Sequence, residues 1–477
     1  MNKNISLSFI EKVFQIQPLG KGSQDLNTIS YDSRTVQKGD VFVAIQGKKI
    51  DGNLFIEDVL KKGAIGLIIS KEFKDVYLTQ CIEYHYNTWC FCVDDTLESI
   101  QKLAKAWRDL FTIDCIGITG TVGKTTTKDM LVHALKKLYC NVLYTIDSQN
   151  SKLGLALTLL RLRHDHDIIV AEVGISEIGE MKILADILRP NYAIITHIGA
   201  GHLEGLKNIE TVAYEKSLLA QYAHYYIVSD QAFHYVKKYI SNKNRYIYGK
   251  ELWCNFQILD IKQDNLNNNS ISVDVICSNE EKKNQSYKLF FNTNHKGIIY
   301  AGVAVLSYIV VSNKSVDFKK IEDVFLSFIE AKGRFKICHF STKNGILIND
   351  AYNANPESMQ VFIDAMDDFK VNKKKILVIG EMRELGDFSL SYHQEIVEYA
   401  LTKKFYKIIV YGEIFKKVNI GLNNINIELL NDFDIVKEKI NRYIEDDCIV
   451  GIKASNSVGL HKIQDYLYLC DVAVMSL

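Results

Sequence analysis

Residues 117–127, Gly-Ile-Thr-Gly-Thr-Val-Gly-Lys-Thr-Thr-Thr, combine the residue types that cradle a phosphate chain. Gly120 and Gly123 free the backbone to turn its N–H groups inward, a lysine follows at 124, and hydroxyls follow at 125 and 126. Lys124 is placed to reach the β- and γ-phosphates of a nucleotide and Thr125 to hold Mg²⁺. The spacing departs from the common G-x-x-x-x-G-K-[ST] pattern. Five residues separate Gly117 from Gly123, and Ile118 stands where the first glycine belongs. The chemistry, however, needs only a pliant loop, a helix N-terminus, an ammonium and a hydroxyl, and all four are present. The bland alternative is a glycine turn between strand and helix with no ligand.

The elements around the loop follow an α/β rhythm. "CIGIT" reads as a strand entering the loop, and a helix from about Thr126 places Met130, Leu131, Ala134, Leu135 and Leu138 on its buried face. "DIIVAEVG" and "NYAIITHIG" are unbroken β-branched runs of the kind buried in a parallel sheet. Upstream, "GDVFVAIQG" and "AIGLIIS" read as strands. Ile100, Leu103, Ala104, Trp107 and Phe111 share one helical face before a new domain opens at "DCIGITG". Downstream of Gly333, "GILINDAYN", "KKILVIGE", "YKIIVYGE" and "CIVGIKAS" repeat the pattern. The expected architecture is α/β in three domains. A mixed α/β domain spans 1–112, a P-loop ATPase-like domain with a mostly parallel sheet spans 113–315, and a Rossmann-like domain spans 316–477.

Bulk composition agrees. A chain of 477 residues exceeds one core, and 47% hydrophobic with 24% charged residues is ordinary for a globular protein. Lys+Arg and Asp+Glu both number 57, which argues against non-specific nucleic-acid or membrane-surface binding. The 10 cysteines include no C-x-x-C pair and read as reduced, buried thiols. No run reaches membrane-spanning length, and the expected location is the cytoplasm. His164 and His166 in "RHDHD" read as a polar loop, not a metal site.

The run "GTVGKTTTKD" resembles the ATP loop of the Mur ligases, a family that shares the displaced glycine spacing, with Val122 a mild departure. Further segments are similar along nearly the whole chain. "YDSRTVQKGDVFVAIQGKKIDGNLFI" resembles the family's uridine-nucleotide motif, with Asn53 where His is usual. "QNSKLGLALTLL", "AEVGISEIGEM" and "THIGAGHLEGL" resemble central-domain motifs. "GRFK" resembles a G-R-x-E motif with Lys336 for Glu. "NDAYNANPESM", "GEMRELGDFSLSYHQEI" and "KASNSVGL" resemble the set in the member that adds the terminal dipeptide of the peptidoglycan stem. A D-N-P-R-like run, the mark of the sister enzyme adding the diamino acid, is absent.

The resemblance implies an ATP-dependent, ADP-forming ligase that joins D-alanyl-D-alanine to a UDP-N-acetylmuramoyl-tripeptide. The peptide carboxylate would first become an acyl phosphate. Thr119, Gly120, Thr121, Val122, Gly123, Lys124, Thr125 and Thr126 would form the nucleotide loop, with Asn150, His295, Arg334 and Asp350 as further ATP contacts. Lys124, Glu172, His202 and Lys216 would carry catalysis, and Thr125, Glu172, His202 and Lys216 would serve Mg²⁺. Glu172 ends a strand of a parallel sheet, where such sheets present ligands. Lys216 stands where the family often carries a carbamate; the plainer reading is an exposed helix lysine in surface ion pairs. Ser33 and Arg34 would meet the uridine substrate, and Lys453, Ser455 and Ser457 the dipeptide. Ser151 and Ile299 replace family asparagines near the nucleotide. A monomer is expected. The alternatives are the sister ligase that adds the third stem residue, a folylpolyglutamate-synthase-like enzyme, or a nucleotide-binding scaffold without catalysis.

Overall fold

The computed structural model describes residues 5–23, 26–47, 50–84, 87–137, 141–146, 149–241, 244–263, 271–278, 285–291, 296–312, 324–328, 335–369, 372–419 and 426–468. Three sheets organise them, each flanked by helices.

The first sheet runs Leu19–Gly20, Trp89–Val93, Gly66–Ser70, Val41–Val43, Ile29–Ser30 in spatial order, parallel except at its Leu19–Gly20 edge. The helix Thr96–Arg108 closes it. Asp95 caps that helix by accepting the N–H of Glu98, and the stripe Ile100, Leu103, Ala104, Trp107 is buried as its spacing predicts. This helix also leans on the helices Lys152–Leu160 and Glu180–Leu188 of the next unit. The Trp107 indole N–H donates to the Leu162 carbonyl at 3.1 Å. The first two units therefore share one apolar core.

The central sheet has nine strands. Seven are parallel, in the order Phe256–Gln263, Arg245–Gly249, Tyr225–Ser229, Tyr192–Ile195, Asp114–Thr119, Ile168–Glu172, Val142–Tyr144. Ile271–Cys277 and Gln285–Phe291 extend the Phe256–Gln263 edge antiparallel. The strand entering the phosphate loop lies mid-sheet between Ile168–Glu172 and Tyr192–Ile195. Loops leaving all three strands thus converge at one edge.

The third sheet runs Lys336–His339, Ile346–Asn349, Ile449–Lys453, Lys375–Gly380, Lys407–Tyr411, Ile427–Leu430, parallel except for its first strand. Its two faces carry separate cores. The third unit meets the central one partly where the helix Lys296–Val311 packs on the helix Pro356–Asp368.

Among the described residues no helix is long and apolar enough to cross a membrane. All eight described cysteines are free thiols, six of them buried. "RHDHD" is a loop in which His166 Nδ1 accepts the Arg163 N–H at 3.0 Å. Leu138 and most of the polar stretch 263–272 lie outside the described residues.

Candidate active site

The phosphate loop is held by the segment that follows the strand Tyr192–Ile195. The Thr121 N–H donates to the His197 carbonyl at 2.7 Å, and the Thr121 hydroxyl exchanges hydrogen bonds with the Gly199 backbone at 3.1 and 3.2 Å. Thr196 Oγ1 donates to the Val122 carbonyl at 2.6 Å. Gly120 has φ +150°, and a Cβ there would lie 2.1 Å from Thr196 Oγ1, so only glycine fits. Gly123, at φ +88°, caps the helix Lys124–Lys136. That helix starts two residues before the expected Thr126, because the left-handed glycine turns the chain at once into helical geometry. Lys124 is therefore the first helical residue. Its ammonium folds back over the loop, donating to the carbonyls of Gly120 at 2.8 Å and Thr121 at 3.3 Å. Thr125 and Thr126 are half-buried beside it, and the Thr119 hydroxyl is buried at the strand end.

Glu172 ends its strand fully inside the protein. Its N–H donates to Thr145 Oγ1, and its Oε1 accepts from Asn150 Nδ2, both at 2.9 Å. Its Oε2 is buried with no hydrogen-bond partner among the described residues. A buried anionic oxygen left unmatched is costly, and a hard cation is the partner its chemistry fits. Asn150 thus orients the carboxylate. Ser151 caps the helix Lys152–Leu160, accepting the Gly154 N–H at 3.4 Å.

Lys216, in the helix Ile209–Gln221, is 1% exposed, which removes the reading of a surface lysine in ion pairs. Burial, reinforced by Lys124, pushes its pKa well down, while Glu172 and Glu215 push it up. The result favours a neutral amine. Glu215 is itself buried and holds the loop after Glu172 by accepting the Gly179 N–H at 2.9 Å.

His202 is turned elsewhere. It adopts φ +56°, and its Nδ1 pairs with Glu384 of the third unit. Among the described residues no three His, Cys, Asp or Glu side chains gather as a metal cage. That is compatible with Mg²⁺, which usually keeps waters and substrate phosphates as most of its ligands.

The third unit touches the same segment at two further points. Glu357, second residue of the helix Pro356–Asp368, accepts the Ala200 N–H at 2.6 Å, and the Glu204 N–H donates to the Glu384 carbonyl at 3.1 Å. Burial raises the Glu357 pKa. Sequence reading gave neither Glu357 nor Glu384 a role. An acidic residue in a first helical turn complements the helix dipole anyway, so nothing in its spacing signals a reach into another domain.

Other expected contacts are engaged within their own units. Lys453 pairs with Asp350 Oδ2 at 2.6 Å, largely buried, and Asp350 Oδ1 accepts the Phe335 N–H at 3.2 Å. Ser455 Oγ accepts the Arg383 N–H at 3.0 Å, whereas Ser457 is exposed. Ser33 is buried, its carbonyl accepting from Lys62 Nζ at 2.7 Å; the exposed Arg34 pairs with Asp32 at 2.7 Å. Asn53, in place of the usual His, is buried and ties Asp51 to Ser70. Ile299 lies in the apolar core, and Lys336 opens an edge strand. His295 and Arg334 lie outside the described residues.

Three domain models match in chain order: the Mur ligase family catalytic domain at residues 25–107, the Mur ligase middle domain at 118–296, and the Mur ligase glutamate ligase domain at 333–454. The chain belongs to the Mur ligase family. Within that family it is similar to the UDP-N-acetylmuramoyl-tripeptide–D-alanyl-D-alanine ligase of Borreliella burgdorferi, 28% identical over 448 residues, covering 91% of this chain and 92% of that one. Its fold is similar to MurF from Acinetobacter baumannii, with TM-score 0.82 at 21% identity over 98% and 99% of the two chains. It is also similar to the MurF ligase of Thermotoga maritima solved in complex with ADP, with TM-score 0.76 at 24% identity over 93% and 97%. The Mur ligase three-domain architecture expected from sequence is the one observed.

Proposed function

We propose that this Mur ligase joins D-alanyl-D-alanine to a UDP-N-acetylmuramoyl-tripeptide at the expense of ATP, releasing ADP and phosphate. The observation that carries the reading is the meeting, at one sheet edge, of the Gly120–Thr125 cradle with buried Glu172 and Lys216, under a loop that the third domain grips. Carboxylate oxygen is a poor leaving group, so the tripeptide carboxylate attacks the γ-phosphate to give an acyl phosphate. The dipeptide amine then displaces phosphate.

Bringing a carboxylate to a triphosphate concentrates negative charge, which the site must offset in fixed positions. Lys124 moves from its loop carbonyls to the phosphates, and the helix N-terminus behind it adds its dipole. Glu172 and Thr125 would hold Mg²⁺, which when bound would supply further positive charge at the phosphates. A neutral Lys216 amine adds CO₂ with loss of one proton, and the carbamate would replace an uncharged amine with an anionic oxygen donor near Glu172. His202 would leave Glu384 to join the Mg²⁺ site when the domains close, and Asn150, His295, Arg334 and Asp350 would contact ATP. Ser33 and Arg34 receive the uridine substrate. The enzyme acts as a cytoplasmic monomer.

Phosphate release is the deciding measurement. It should require ATP, Mg²⁺, the UDP-tripeptide and D-alanyl-D-alanine together, and assays with the diaminopimelate and lysine tripeptides identify the third residue. Release driven by a single free amino acid would shift the assignment to the sister ligase, and no release under any combination would leave only a scaffold.

A further inference from the structure

The strand Val142–Tyr144 pairs in parallel with Ile168–Glu172, with Tyr144 opposite Val170. One residue further, a regular parallel ladder would have Thr145 give its N–H to the Val170 carbonyl and take the Glu172 N–H on its own carbonyl. The first bond is made, at 3.2 Å. The second is diverted: the Glu172 N–H goes to the Thr145 side chain, at Oγ1, 2.9 Å away. The Thr145 carbonyl turns instead to Lys128, accepting from its Nζ at 3.1 Å. Thr145 is fully buried and Lys128 is 3% exposed, so water cannot readily replace either bond.

Lys128 lies in the helix Lys124–Lys136, one turn beyond Lys124 and on the same side of it. Its Nζ also pairs with Asp129 Oδ1 at 2.9 Å. A second basic side chain holds the same bend, since Arg161 Nη2 donates to the Tyr144 carbonyl at 3.3 Å and to Gln149 Oε1 at 3.1 Å. The next residue, Asn150, donates to Glu172 Oε1. Glu172 is therefore gripped at its backbone by Thr145 and at its carboxylate by Asn150. Lys128 ties the segment that supplies both grips to the helix that opens with Lys124 and Thr125.

We propose that Lys128 and Thr145 are positioning residues. Through the carbonyl and the hydroxyl of Thr145, Lys128 sets where Glu172 Oε2 stands relative to Lys124 and Thr125, and so how tightly the site holds a divalent cation beside a nucleotide. The proposal rests on the reading of Glu172 as a Mg²⁺ ligand. Thr145 acts through its hydroxyl, which no aliphatic residue of the same shape supplies.

The test is Mn²⁺ binding to the full-length enzyme saturated with ADP, followed by electron paramagnetic resonance, with calorimetry of ADP in the presence and absence of Mg²⁺. T145V and K128M should each weaken Mn²⁺ binding about tenfold or more, the scale of lost support behind a metal ligand. ADP affinity without metal should stay close to that of the wild type. T145S keeps the hydroxyl and should bind Mn²⁺ like the wild type. The double variant K128M/T145V should lose less than the product of the two single losses, because both act on one connection. If K128M folds poorly, T145V and T145S carry the test, since both leave Lys128 in place. A folded T145V that binds Mn²⁺ like the wild type, or that weakens ADP equally with and without metal, overturns the positioning role and leaves Glu172 as a ligand. Mn²⁺ uptake equal in the wild type and E172Q overturns the reading of Glu172, and the proposal with it.

Discussion

Glu357 Oε1 accepts the N–H of Ala200 at 2.6 Å, so a carboxylate of the third domain holds the very loop that cradles Thr121 of the phosphate loop. Gly199 makes this approach possible, since a Cβ there would lie 2.2 Å from Glu357 Oε1. Closure of the third domain and the shape of the nucleotide loop are thereby linked through one short segment. E357A should lower phosphate-release activity about ten- to a hundredfold, the scale of a lost hydrogen bond to a charged group. E357Q keeps an acceptor oxygen in place and should lose much less. G199A should behave like E357A despite leaving the carboxylate intact. Equal activity in E357A and wild type would remove the link.

The phosphate loop makes a sharper steric prediction. At Gly120 the backbone angle favours glycine, and the nearest obstacle is Thr196 Oγ1, which is fixed by its bond to the Val122 carbonyl. G120A should weaken ATP binding at least tenfold or so by calorimetry, and destabilise the protein by about 1–3 kcal/mol through overpacking and strain. Unaltered nucleotide affinity would mean that the loop does not bind phosphate in the geometry seen here.

Lys216 supplies a chemical prediction. Burial favours its neutral amine, the form that combines with CO₂. Enzyme held at low pH without CO₂ should lose activity and regain it on addition of bicarbonate, and K216A should be inactive in both states. Activity indifferent to CO₂ history would show that the amine itself suffices.

Part of this candidate site is legible in the sequence. The loop 120–125 declares itself because phosphate binding needs glycines, a lysine and a hydroxyl close together in sequence. Glu172 is legible for a related reason: a polar residue ending an apolar run must face the sheet's loop edge. What sequence did not reveal are relationships made by packing between distant segments. Lys216 has helical neighbours no different from those of a surface lysine, and only the fold buries it. Glu384 and Glu357 sit in segments that resemble family motifs, yet their side chains find partners in another domain. Asn53 is a further case. Its departure from histidine looks like a weakened substrate contact, but its amide bridges Asp51 and Ser70 inside the first domain.

The last prediction concerns pH. His197 follows the strand Tyr192–Ile195, its carbonyl holds the Thr121 N–H, and its ring is mostly buried with Nδ1 lacking a hydrogen-bond partner among the described residues. Burial lowers its pKa from 6.5 to about 4. A base with a depressed folded pKa binds fewer protons folded than unfolded throughout that window. The stability gained from keeping it neutral is therefore complete above about pH 6.5 and is lost as pH falls toward 4. By pH 5 the loss should be on the order of 2 kcal/mol. Urea midpoints at pH 7 and pH 5 should show this drop in the wild type and a smaller one in H197N, whose amide does not titrate. A pH 7-to-5 difference identical in both proteins would trace the acid sensitivity to other groups.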